Sequence, residues 1–362
     1  MITFTSTIGD SGNAGVIGTT SLGNAATSDL NFNSTIYKFD GATTITAASG
    51  DTIDMGAGAA TTFTTAADNI TFATGNIELA NGSNLTVDTG AAGGNITIGE
   101  IGGTSVETVT LDAGTGTTSV GVIGSGTEIG ALSIGSAENG GITLNGAITT
   151  DGVVTLDGPI TLATGAITIT TADDAINLQG TVDGGQALTL SSGSAAITAD
   201  GAIGSSTTLT SLTVNSSGAG TIEITDIGTS SAVGVSGATA IGNTSTGTLT
   251  LDGTVYTTTG TQTYTAATGG GNIDITNTSG STFTTTNTAV AFNTSGVDLA
   301  NNATTTIDTG TGAGDVTFQG AIETNGSDND ILTVTSGTGT VTVTGAIGAT
   351  EELGGLNVNA SS

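Results

Sequence analysis

Apolar and hydroxyl side chains alternate along this chain in short bursts. Ala166-Ile167-Thr168-Ile169-Thr170, Leu332-Thr333-Val334-Thr335 and Val341-Thr342-Val343-Thr344 each put aliphatic residues on one side and Thr on the other. That period of two is the signature of a half-buried strand about four to six residues long. Between the bursts lie clusters such as Thr89-Gly90-Ala91-Ala92-Gly93-Gly94-Asn95, where Gly and Asn tolerate the left-handed backbone of tight turns. No stretch carries capped helical spacing. Pro159 precedes Ile160-Thr161-Leu162, a strand start where the missing N–H costs least. The pattern predicts an all-β chain without significant helix.

The bursts are organised into a longer repeat, which narrows the fold. Residues 62–98 align without gaps on 282–318, with about 15 of 37 positions identical. Thr62-Phe63-Thr64-Thr65 returns as Thr282-Phe283-Thr284-Thr285, and Asp88-Thr89-Gly90 as Asp308-Thr309-Gly310. Phe72/Phe292 and Tyr37/Tyr256 recur in the same phase, which suits core or corner stacking better than a carbohydrate platform. A second marker pairs glycines: Gly121 with Gly124, Gly201 with Gly204, and Gly345 with Gly348. Each pair precedes the same spacing of aliphatics. The chain therefore reads as a long copy (about 2–136), a short copy (137–221) and a second long copy (222–362). A sandwich or closed barrel does not survive losing whole segments from its middle. A solenoid does, because each coil touches only its neighbours. The expected architecture is one continuous parallel β-helix or β-solenoid over 1–362, with coils of roughly 20–30 residues, Ile, Val and Leu inside, and Thr, Ser and Asn outside.

Composition removes several functions. The 362 residues include 61 Gly, one Pro, no Cys and no His. One Pro excludes collagen, and without Cys there are neither disulfides nor thiolate metal sites. Asp and Glu total 31 against a single basic residue, Lys38, for a net charge of −30. Such a chain repels phosphate backbones, so nucleic acid is not an expected partner. Neither membrane insertion nor attraction to anionic lipid is expected. Catalysis is not expected either: His and Cys nucleophile systems are unavailable. The one adjacent Asp pair, Asp173-Asp174, has no Arg or His to assist it and reads as a solvated turn.

Several segments resemble the repeats of very large bacterial surface proteins of the filamentous-haemagglutinin-like type. Thr257-Thr258-Thr259-Gly260-Thr261-Gln262-Thr263-Tyr264 is similar to their Thr-Gly-x-Gln-x-Tyr element. Val182-Asp183-Gly184-Gly185-Gln186-Ala187-Leu188, followed by Gly201-Ala202-Ile203-Gly204, is similar to their Val-Asp-Gly and Gly-x-x-Gly elements. The resemblance implies a secreted parallel β-helix, located outside the cell or on its surface, used in adhesion, matrix or filament building. Its partners would be neighbouring repeats, further copies of itself, or surface glycans.

Two further expectations concern cations and polymerisation. Carboxylates recur in phase at Asp54/Asp274, Glu78/Asp298 and Asp88/Asp308, and hard oxygen ligands of this kind suit Ca²⁺. Asp54, Asp88, Asp274 and Asp308 are the candidate metal ligands; no other cofactor is expected. Against them, Gly269-Gly270-Gly271-Asn272-Ile273-Asp274 lacks the fourth-position Gly of the Ca²⁺-binding nonapeptide, so solubilising charge is the favoured reading of the same carboxylates. Val358-Asn359-Ala360-Ser361-Ser362 matches Val214-Asn215-Ser216-Ser217-Gly218, and Met1-Ile2-Thr3-Phe4-Thr5 matches Thr221-Ile222-Glu223-Ile224-Thr225. The two ends are in phase, as they would be in subunits stacking head to tail or in a span of a longer repetitive polypeptide. The functional expectation is a non-catalytic structural element of a surface or extracellular filament, with an adhesin stalk or glycan-binding segment as the alternative.

Overall fold

The computed structural model describes residues 1–362 except 11, 137–138, 327–328 and 362. The described residues form short strands and turns with no helix, wound as a parallel β-solenoid of about 15 turns. The chain divides into two compact units, Met1–Gly180 and Thr181–Ser362. That division falls inside the short sequence copy; positions 137 and 362, at the copies' edges, lie outside the described residues.

In the first unit the coils present three faces, each a parallel ladder. One inward row runs Phe63, Val87, Leu111, Ile134, Leu156, Leu178. A second runs Ile45, Phe72, Ile98, Val120, Leu144, Leu162. The third is almost pure isoleucine: Ile53, Ile77, Ile101, Ile123, Ile148, Ile169. All of these side chains are buried. Because side chains alternate along a strand, the residues between them point outward and stack as well. Thr62, Thr86, Thr110, Ser133 and Thr155 line one face, and Thr44, Thr71, Thr97, Ser119, Thr143 and Thr161 another. Coil spacing is that of β-strands, about 4.8 Å, which lets β-branched side chains pack on their own kind one coil away.

The second unit repeats this plan. Its inward rows include Ile222, Leu249, Ile273, Val297 and Ile322 on one face, and Tyr256, Phe283, Ile307 and Val334 on another. Coil length varies: in the first unit Ile2 pairs with Leu30, whereas Ile142 pairs with Ile160. The ladders absorb the difference in the turns.

The in-phase aromatics occupy the core. In the first unit the rings of Tyr37 and Phe63 stack 4.9 Å apart, with Phe32 and Phe72 edge-on to them. In the second, Tyr256 and Phe283 stack at 4.6 Å and Phe292 on Phe318 at 5.0 Å. The sequence equivalence of Tyr37/Tyr256 and Phe63/Phe283 is thus an equivalence of geometry. Corner chemistry repeats too: Thr89 Oγ1 donates to the Gly94 carbonyl (2.6 Å), and Thr309 Oγ1 to that of Gly314 (2.7 Å). A buried hydroxyl at the strand end satisfies a turn carbonyl that would otherwise be left without a donor.

Candidate functional site

The four candidate metal ligands separate into two kinds of position. Asp88 and Asp308 end the strands Leu85–Asp88 and Thr304–Asp308. Asp88 Oδ1 accepts from the Gly90 amide (2.7 Å) and Asp308 Oδ1 from the Gly310 amide (2.8 Å). Asp112 does the same with Gly114 at 2.9 Å. These are Asx turns, in which the side chain satisfies a local backbone donor.

Asp54 and Asp274 instead stand in outward acidic rows. In the first unit Asp54 sits between Asn31 and Glu78 on neighbouring coils. In the second, Asp274 is followed by Asp298 and then Glu323. Asn272 Nδ2 donates to Asp274 Oδ1 (2.6 Å) and also to Asp298 Oδ2. The structure therefore brings Asp54 to Glu78 and Asp274 to Asp298; it does not gather the four candidates into one site. Among the described residues, no three His, Cys, Asp or Glu side chains are grouped so as to hold a metal ion.

Stacked carboxylates titrate abnormally. Burial pushes Glu78 above the usual carboxylate range, and the charges of Asp54 and Glu100 push it further. Asp274 and Asp298 are raised first by burial and then by Asp298 and Glu323 respectively, against the Asn272 hydrogen bonds. Glu323 is held low, chiefly by the Glu351 amide, with the amides of Thr350 and Ala349 adding to it. A carboxyl raised by folding disfavours the fold when ionised, so protonation relieves the cost. Stability is accordingly expected to increase as pH falls from neutral through the raised values of Glu78, Asp274 and Asp298. The gain is complete below their ordinary values, about 4, and is on the order of a few °C. Further acid reverses it as the low-held Glu323 and Glu107 are protonated. Melting followed by circular dichroism between pH 7.5 and 3 should show a maximum on the acidic side; a midpoint that only falls below pH 7 would refute the assignment.

The glycine markers have distinct tasks. The second glycine of each pair is left-handed, with φ of 81° at Gly124, 72° at Gly204 and 59° at Gly348. Gly121 and Gly345 lie where coils approach closely: a Cβ would meet the Gly99 carbonyl oxygen at 1.9 Å and the Gly320 carbonyl at 2.2 Å respectively. Gly201 is half-buried at a bend.

Beside the hydroxyl row of the first unit runs an open groove of about 380 Å³. Its floor is Gly75, Gly99 and Gly121, and Asn76, Glu100 and Asn145 stand along it. Glu100 is fixed by the Ser125 hydroxyl, which donates to its Oε1 at 2.5 Å. Asn145 Nδ2 is turned to Ser119 Oγ (3.0 Å). No atom lies within 4 Å of where a Gly99 side chain would begin. In the second unit the sequence equivalent of Gly99 is Gln319, whose Oε1 accepts from the Thr294 amide at 3.1 Å. At this position one repeat carries Gly99 and the other carries a glutamine side chain.

Two residues were missed by the sequence reading. Glu107 and Asp330 are both fully buried. Gly82 donates its amide to Glu107 Oε1 (3.1 Å), and at the equivalent turn the Asn302 amide donates to Asp330 Oδ1. A signal was available: Glu107 is in phase with inward Val109 and Leu111, and Asp330 with Leu332 and Val334. A carboxylate on the inward register must be bonded or paired. Burial alone would raise Glu107, but the Thr104 hydroxyl (2.6 Å), its amide (2.6 Å) and the Gly82 amide outweigh it and leave the group low.

Comparison with protein-family models, with curated proteins and with solved structures found no match to this chain.

Proposed function

We propose that the chain is a non-catalytic structural subunit or segment of a bacterial cell-surface or extracellular filament or matrix. The observation that supports this best is the state of the ladders. Within each unit successive coils pair in parallel, and the inward rows fill the interior with aliphatic and aromatic side chains. Such a stack grows by adding turns. The last coil illustrates it: Leu332 and Val334 are buried, but their ladder partners Leu356 and Val358 are 45% and 48% exposed. One more coil would cover them, supplied either by further chain or by a second copy placed head to tail. The outward rows of Thr, Ser, Asp and Glu suit a hydrated exterior, and the repeats' resemblance to filamentous-haemagglutinin-like proteins adds the extracellular setting.

The test is self-association of the purified chain. Sedimentation velocity and negative-stain imaging over rising concentration are expected to reveal species that lengthen in steps of one chain. A particle of constant mass up to the highest concentration, together with native material that contains no fibre, would defeat the reading.

A second reading, a glycan-binding segment of a surface adhesin, is favoured by the groove beside Gly99. Amides, hydroxyls and one carboxylate along an open trough match the hydrogen-bonding groups of a neutral saccharide.

A further inference from the structure

Asp330 is fully buried, yet only one of its two carboxylate oxygens is bonded. Oδ1 accepts the Asn302 amide, while Oδ2 has no hydrogen-bond partner. An ionised carboxylate out of water with a bare oxygen is strongly disfavoured unless something neutralises it. The equivalent residue in the first unit shows what a complete arrangement looks like. Glu107 Oε1 accepts Gly82 N and Thr104 Oγ1, and Oε2 accepts Thr104 N. Among the described residues no threonine does this for Asp330. Residues 181–362 contain no Lys, Arg or His, so the second unit has no basic side chain of its own to pair with it.

The turn that holds Asp330 is rich in asparagine: Asn301, Asn302 and Asn329 are its neighbours in chain or across the coil. Asn302, whose backbone holds Oδ1, has a side-chain oxygen that accepts from Asn329 Nδ2 at 3.1 Å. Its own Nδ2 donates to Asn301 Oδ1 at the same turn. One carboxylate oxygen beside amide and turn carbonyls is a hard-oxygen environment of the type Ca²⁺ takes in mixed sites. A chain of net charge −30 also concentrates cations around itself.

We propose that Asp330 Oδ2 is the anionic ligand of a Ca²⁺ site at the Asn301-Asn302 turn, completed by the side-chain oxygens of Asn302 and Asn329 and by solvent. The site is distinct from the outward acidic rows and contains none of Asp54, Asp88, Asp274 or Asp308. With a single carboxylate its dissociation constant should fall in the weak range of extracellular modules, about 10⁻⁴–10⁻³ M.

The test uses the full chain, with Ca²⁺ itself as the probe. Calorimetric titration at fixed ionic strength is expected to give one site in that range, and 10 mM Ca²⁺ is expected to raise the melting midpoint above that in NaCl of equal ionic strength. Asp330→Asn keeps an oxygen for the Asn302 amide and removes the charge; it should weaken Ca²⁺ binding at least tenfold and abolish the midpoint shift. Glu107→Gln should leave both unchanged. The proposal is overturned if the wild-type chain shows no Ca²⁺-specific heat or shift, or if Asp330→Asn responds to Ca²⁺ as the wild type does. A stabilised Asp330→Asn with an unresponsive wild type would mean that a proton or a water, not a cation, completes the carboxyl. Failure here leaves the filament reading intact, since self-association is measured separately.

Discussion

Truncating Phe283 to alanine is expected to cost about 3–5 kcal/mol, the largest loss from any single side chain in the second unit. The ring is fully buried and lies 4.6 Å from Tyr256, nearly parallel to it, with Tyr264 and Phe292 edge-on at 5.5 Å. Removing it leaves a cavity bordered by three aromatic rings that rigid ladders on either side keep from collapsing. Each ring pair lost adds about 0.5–1.5 kcal/mol beyond area burial. In a solenoid the damage stays near its source. Native-state hydrogen exchange should therefore show accelerated exchange in Val255–Thr257, Ser281–Thr284 and Val290–Asn293, and none in Leu85–Asp88 or Thr108–Asp112 of the first unit. Denaturant titration giving a loss under about 1 kcal/mol would contradict the packing described.

Two glycines on neighbouring coils should respond very unequally to substitution. Gly121→Ala places a methyl 1.9 Å from the Gly99 carbonyl oxygen and 2.9 Å from its carbon. Both are backbone atoms inside paired strands, so relief requires separating the coils; a loss of about 3 kcal/mol is expected, the upper end for overpacking. The Cβ of Gly99→Gln meets no atom within 4 Å, and glutamine already stands at the equivalent position in the second unit, where Gln319 bonds the Thr294 amide. Its effect should stay within about 0.5 kcal/mol. The same substitution fills the groove, so on the glycan reading saccharide binding measured by array or calorimetry disappears from a protein that melts as before. Equal sensitivity of the two positions to substitution would show that coil contact at Gly121 is looser than the ladder requires.

Much of the fold was legible because its determinants are local or repeat. Alternation in Leu332-Thr333-Val334-Thr335 is a property of one strand, and the recurrence of Phe63 as Phe283 needs only an alignment. The three-sided coil was not legible: whether Ile142 pairs with Ile160 or with some later aliphatic depends on turn lengths that only stacking selects. The candidate metal ligands show the same divide. Asp88 and Asp308 recur because Asp-Thr-Gly forms an Asx turn twice, a short-range cause that mimics a ligand pattern. Asp54 and Asp274 do lie in acidic rows, but their neighbours Glu78 and Asp298 come from the next coil. Glu107 and Asp330 share the inward phase of Val109 and Leu332, but their charge points to the exterior, and only the turn donors that hold them inside resolve that conflict.

All eleven aromatic residues fall within 4–72 or 256–318, and no tryptophan exists. Tyr37, Tyr256 and Tyr264 are therefore the chain's only useful fluorophores, and each is sealed in a ring column. Emission and near-ultraviolet dichroism will report on those columns alone. The aliphatic coils from 73 to 255 are optically silent at these wavelengths, so they could melt without a trace in a tyrosine-detected experiment. Amide-based spectroscopy is the probe that sees the whole molecule, and disagreement between the two signals would itself mark which coils let go first.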